Sequence, residues 1–90
     1  MDKIYFNSIK DIVRNKIIEL SEQSGNNSSS LTDNENIPER GYLDSAGIID
    51  LIIWIESYFN IIINDEEITI KNLGSVNTIA NFVCEIKKDQ

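Results

Sequence analysis

"LDSAGIIDLIIWIE", residues 43–56, decides how this chain folds. Ile48, Leu51, Ile52 and Ile55 recur three and four residues apart, and Phe59 continues the series just beyond. That spacing places them on one stripe of an α-helix, buried against a core. Asp44 and Ser45 stand immediately ahead of the stripe, and either side chain can cap the free N–H groups of a helix start. The stretch therefore predicts a helix over 44–59. Ala46, Ile49, Asp50, Ile53 and Glu56 fall on a neighbouring face, which is unusually apolar for one meeting solvent. It also raises the question of what the single hydroxyl at Ser45 is for.

The flanking sequence repeats the helical pattern. Phe6, Ile9, Val13, Ile17 and Leu20 form one stripe of an amphipathic helix over 3–22, with Asp2 as its N-cap. Residues 21–43 are rich in Ser, Asn, Gly and Pro and read as a long loop with two apolar anchors, Leu31 and Ile37. Its triple serine, Ser28 to Ser30, reads as flexible linker. After the second helix, Ile61 to Ile63 has no second strong strand to pair with. It reads as a packed connection leading to a short helix near 65–73. Ser75 then caps a last helix over 75–88, whose stripe is Val76, Ile79, Ala80, Val83 and Ile86; Lys87 and Lys88 suit its C-terminal dipole. With no internal repeat, residues 1–90 read as one all-α domain, a small bundle of three main helices and one short one.

Composition narrows the chemistry. The chain is 41% hydrophobic and 26% charged, in the range of folded globular proteins. It contains no histidine, which removes the commonest general base and metal ligand. Its single cysteine, Cys84, cannot form an internal disulfide and reads as a small buried residue suited to a reducing compartment. The longest apolar run, Leu51 to Ile55, falls far short of the roughly 20 residues that span a bilayer, and the N-terminus lacks a signal-type apolar stretch, so a cytoplasmic location is expected. Charge is unevenly spread. Residues 1–32 balance, residues 33–67 hold nine acids against the single base Arg40, a net of −8, and residues 68–90 carry +1, so all of the excess negative charge lies in the stretch around Ser45. Such a surface repels phosphate backbones and attracts basic protein patches, which disfavours nucleic acid as a partner.

A serine at a helix start has two readings. One is simple capping. The other is a hydroxyl exposed for covalent modification, where a phosphate ester would meet the free N–H groups and dipole of the helix N-terminus. Gly47 lowers helix propensity by up to about 1 kcal/mol against alanine, and it would also leave the surface beside Ser45 uncluttered.

"GYLDSAGIIDLIIWIESYFNIIINDEEI" (41–68), followed by "LGSVNTIANFV" (73–83), resembles the acyl carrier proteins. The likeness covers about residues 40–83 in motif detail and the whole chain in layout. It rests on Leu43, Asp44 and Ser45, then Asp50, Leu51, Glu56 and Phe59, then Ile63, the Asp65–Glu66 pair and Val76. The resemblance implies a four-helix bundle with a short third helix. It also implies that Ser45 receives 4′-phosphopantetheine from coenzyme A through a magnesium-using phosphopantetheinyl transferase, and that the arm holds an acyl or aminoacyl group as a thioester. The chain would then be no enzyme and hold no metal of its own. It would be a monomer delivering cargo from a loading ligase to downstream acyl-processing enzymes with basic docking patches. Asp44, Asp50 and Glu56 would engage those patches, with Ala46, Ile49 and Ile53 as the apolar contact beside them; the other reading of Ile49 and Ile53 is core packing against the short third helix.

The chain also departs from the pattern. Ala46 stands where leucine or methionine is frequent, which weakens an apolar contact with partners. Asn64 replaces a common proline, and Trp54 and Tyr58 occupy positions that are often small or acidic. The Gly-Gly-x-Ser pattern of carrier domains in large synthetases is missing, so stand-alone carriers are the nearer likeness. The alternative is an unmodified acidic helical adaptor with a carrier-like fold. A metal-binding module on Asp65, Glu66 and Glu67 has little support, because consecutive acids diverge on a helix and no calcium-loop spacing is present.

Overall fold

A computed structural model of the chain describes residues 3–26 and 31–88; the expected cap at Asp2 and the triple serine lie outside them. Among the described residues there are four α-helices and no strand: α1 (Lys3–Gln23), α2 (Ser45–Phe59), α3 (Ile70–Leu73) and α4 (Val76–Lys88). The all-α bundle expected from the periodicity is the architecture observed.

The stripes explain the packing. Ile9, Val13, Ile17 and Leu20 of α1, Leu51, Ile52, Ile55 and Phe59 of α2, and Val76, Ile79, Ala80 and Val83 of α4 close one core. Phe6, Ile48 and Ile86 are only partly buried and cover its edges. Helix α1 packs on α4 and on α2, and α3 lies against α4. The Lys87 ammonium donates to the Phe59 carbonyl at 3.1 Å, so α2 and α4 end at the same pole. At the other pole the Ile37 N–H donates to the Gly74 carbonyl at 2.7 Å, joining the lead-in to α2 to the turn before α4.

Two expectations need correction. Helix α1 runs one residue further than 22, to Gln23. The short helix near 65–73 is two pieces, a 3-10 turn (Asp65–Glu67) and α3. Extended backbone at Thr69 separates them, and the Thr69 hydroxyl then caps α3 by accepting from the Asn72 N–H at 3.2 Å.

The segment between α1 and α2 is far from structureless. Leu31, Ile37, Tyr42 and Leu43 are buried in the core. Asp33 pairs with Lys10 at 2.9 Å and with Arg14, and its carbonyl accepts from the Asn77 N–H, so one residue ties the loop to both α1 and α4. Residues 37–42 make a Schellman turn: Tyr42 N–H bonds the Ile37 carbonyl and Gly41 N–H bonds the Pro38 carbonyl, with Gly41 at φ 77°. Glu35 gathers this turn. Its carboxylate accepts from the Thr32 N–H at 2.8 Å, the Tyr42 hydroxyl at 3.0 Å and Arg40 Nε at 3.0 Å.

Those donors, the Thr32 N–H foremost, hold the Glu35 carboxyl below its ordinary pKa against an opposing desolvation. A group lowered in the folded state stabilises it above the ordinary glutamate range and loses that contribution as pH falls toward the lowered value. Urea midpoints measured from about pH 7 to about pH 3 are therefore expected to fall less steeply for Glu35→Gln than for the native chain. Parallel curves would show that ionisation of Glu35 contributes nothing to the pH dependence.

Candidate functional site

The Schellman turn decides how Ser45 is presented. It buries Tyr42 and Leu43, and the chain then emerges with Asp44, Ser45 and Ala46 exposed at the tip of α2. Asp44 is the N-cap: its backbone is extended and its Oδ1 accepts from the Gly47 N–H at 2.8 Å. The first intrahelical bond runs from the Ile48 N–H to the Asp44 carbonyl at 2.9 Å. Ser45 is the first helical residue, and capping is accomplished without it. Ser45 is exposed, and its hydroxyl has no hydrogen-bond partner among the described residues. The N–H groups of Ser45 and Ala46 precede the first helical bond and are likewise free to meet an anion.

Gly47 has a different reason from an uncluttered surface. It is buried, and a Cβ there would stand 3.2 Å from Leu43 Cδ2 and 3.4 Å from Asp44 Oδ1. Glycine at this position lets α2 settle onto Leu43 while its own N–H reaches the cap.

The expected partner face divides in the structure. Ile49 and Ile53 are 56% and 58% exposed, so they belong to the surface. Asp50, the residue after Ile49, is exposed and without an intramolecular partner among the described residues. Glu56 behaves differently. It is half-buried and its Oε2 accepts from the Ile63 N–H at 2.9 Å, while its carbonyl accepts from the Asn60 and Ile61 N–H groups. Glu56 thus fastens the turn that follows α2, in which Asn60 takes the left-handed conformation. No spacing rule in the sequence points to this role. The useful signal was an acid one turn before the end of α2, with the buried Ile61 and Ile63 beyond.

Trp54 and Tyr58 pack their rings 4.9 Å apart at the α1–α2 seam, with Lys16 Nζ 5.7 Å from the indole. Cys84 is buried, and burial pushes its thiol up in pKa, which leaves it a poor nucleophile at neutral pH. Among the described residues no three acids or cysteines converge as a metal site; Asp65 and Glu66 are exposed, and Glu67 accepts from the Asn64 N–H at 3.3 Å. Among the described residues no helix is long and apolar enough to cross a membrane. No protein-family model matches the chain and no curated protein matches it, so its own residues must carry the functional reading.

Proposed function

We propose that the chain is a carrier protein, and that the Ser45 hydroxyl is the attachment point for a 4′-phosphopantetheine arm. One observation carries the reading: Asp44 caps α2, which leaves the Ser45 hydroxyl exposed and without a structural task. A solvent-facing serine on a rigid helix tip, behind a lead-in anchored by buried Tyr42 and Leu43, is what a modifying enzyme needs in order to reach it.

Attachment would form a bond between Ser45 Oγ and the β-phosphorus of coenzyme A. The pyrophosphate bond breaks, 3′,5′-ADP leaves and the hydroxyl proton is lost. The free N–H groups of Ser45 and Ala46 would face the resulting phosphodiester, and the helix dipole favours its charge. The attached group supplies a terminal thiol to which an acyl or aminoacyl cargo can be joined. The protein's part is to hold one end of that arm, so that cargo stays at high effective concentration near each partner enzyme. Acids along residues 33–67 suit partners with basic patches, among them the transferase, a loading ligase and acyl-processing enzymes.

Incubation with coenzyme A and a promiscuous phosphopantetheinyl transferase tests the reading by intact mass spectrometry. The native chain is expected to gain one phosphopantetheine, mapped by proteolysis to the peptide that holds Ser45. An unchanged mass after full conversion of a control carrier in the same tube would instead favour an unmodified adaptor.

A further inference from the structure

We infer that the pole where α1 begins and α4 ends holds a separate, noncovalent binding site, and that it takes a small carboxylic acid with an apolar body. Tyr5, Cys84, Lys87 and Lys88 line a pocket of about 380 Å³ there, open to solvent on one side. Its size lies within the range of small-molecule sites. At roughly 30 Å³ for each water-sized group, it has room for about a dozen heavy atoms. The pocket is far from the proposed tether. Lys87 donates to the Phe59 carbonyl at the end of α2, whereas Ser45 begins that helix, about 20 Å away at 1.5 Å per residue. The site therefore stands whether or not Ser45 carries an arm.

The wall sets the apolar half of the ligand. Cys84 is buried, and burial pushes its thiol up in pKa, so it meets a ligand as a neutral, weakly polar surface. The Tyr5 ring is 42% exposed, and the two lysine stems are aliphatic. The rim sets the charge. Lys87 gives one N–H to Phe59 and keeps two, and Lys88 is exposed with no partner among the described residues. Helix α1 begins where α4 ends, so their dipoles oppose each other and the ammonium groups dominate the local field. Glu85, the only acid of α4, lines a different cleft with Lys71 and Phe82. Dipole compensation accounts for cations at the end of α4, but not for an apolar pocket beside them. In a chain of net −7, this pocket joins two ammonium groups to apolar walls, and that pairing matches an amphiphilic anion.

Sodium octanoate, with about ten heavy atoms, is the probe. Amide shifts of the unmodified, ¹⁵N-labelled full chain are followed up to about 10 mM octanoate at constant ionic strength. Saturation with a Kd of about 0.1–1 mM is expected, with the largest shifts at Tyr5, Cys84, Lys87 and Lys88. Octylammonium, the same chain with the opposite charge, should bind at least about fivefold more weakly. Lys88→Glu reverses the charge at an exposed position and should weaken octanoate about fivefold. Lys87→Gln keeps a donor for the Phe59 carbonyl and should weaken it about threefold. Ser45→Ala should bind like the native chain, and thermal melts verify that each variant is folded. The inference is overturned if no shift saturates by about 10 mM, if octylammonium binds as tightly as octanoate, or if Lys88→Glu leaves the affinity unchanged. Shifts centred on the cleft of Ile48, Ile68 and Leu73 would overturn it equally. Because the chain carries no arm in this experiment, failure of the carrier reading leaves the result standing, and the converse holds.

Discussion

Ile55→Ala is expected to cost the fold about 3 kcal/mol, while Ile53→Ala, two residues away, is expected to change stability by less than about 0.5 kcal/mol. The chemistry of the two substitutions is identical. Only the helical phase differs: Ile55 is 0% exposed at the centre of the α2 stripe, and Ile53 is 58% exposed. Truncation at 55 forfeits the transfer energy of the lost methyl and methylene groups and leaves a void among side chains from α1 and α4. Domains of this size hold about 5–15 kcal/mol in all, so the loss is a large share. It should lower the melting temperature by more than about 10 °C. Paired urea and thermal titrations measure both variants. Equal losses at 53 and 55 would mean that α2 is rotated from the phase described, and Ser45 with it.

The contrast between those two residues also shows where sequence reading succeeds. Burial of Leu51, Ile52, Ile55 and Phe59 follows from a spacing of three and four, because a long helix against a core has one solution for its phase. The same holds for Ile9, Val13 and Ile17 in α1 and for Val76, Ile79 and Val83 in α4. The short third helix was less legible, since a four-residue helix carries scarcely one turn of periodicity. Its start is written instead in side-chain capping by Thr69. Least legible were the acids. Counting charges over 33–67 treats Asp33, Glu35 and Glu56 alike as part of one negative field. In the fold Asp33 reaches across 19 residues to Arg14, Glu35 gathers a turn and Glu56 holds the connection that follows α2. The Asp33 pairing depends on how the helices assemble, and the contacts of Glu35 and Glu56, though only three to seven residues away, depend on turns whose backbone path the charge count does not encode. The sequence offers Asp44 or Ser45 as the cap of α2, and the fold assigns it to Asp44, whose extended backbone lets Oδ1 accept from the Gly47 N–H.

That choice separates two functions that adjacent residues could have shared, and it yields a crossed expectation. Ser45→Ala should abolish phosphopantetheine transfer completely and leave stability within about 0.5 kcal/mol of the native chain, because the lost hydroxyl is exposed and bonds nothing among the described residues. Asp44→Ala should do the reverse. Loss of the oxygen that accepts from the Gly47 N–H should cost about 1 kcal/mol. Modification should persist at reduced rate, since the nucleophilic hydroxyl remains. Asp44→Asn, which keeps an acceptor, should restore most of the stability. Mass spectrometry and thermal melts on the three variants read both axes at once. If Ser45→Ala melted as early as Asp44→Ala, the serine would be a structural cap after all. If Ser45→Ala were still modified, the tether would lie on another residue, and the exposed tip of α2 would lose its claim to be the site.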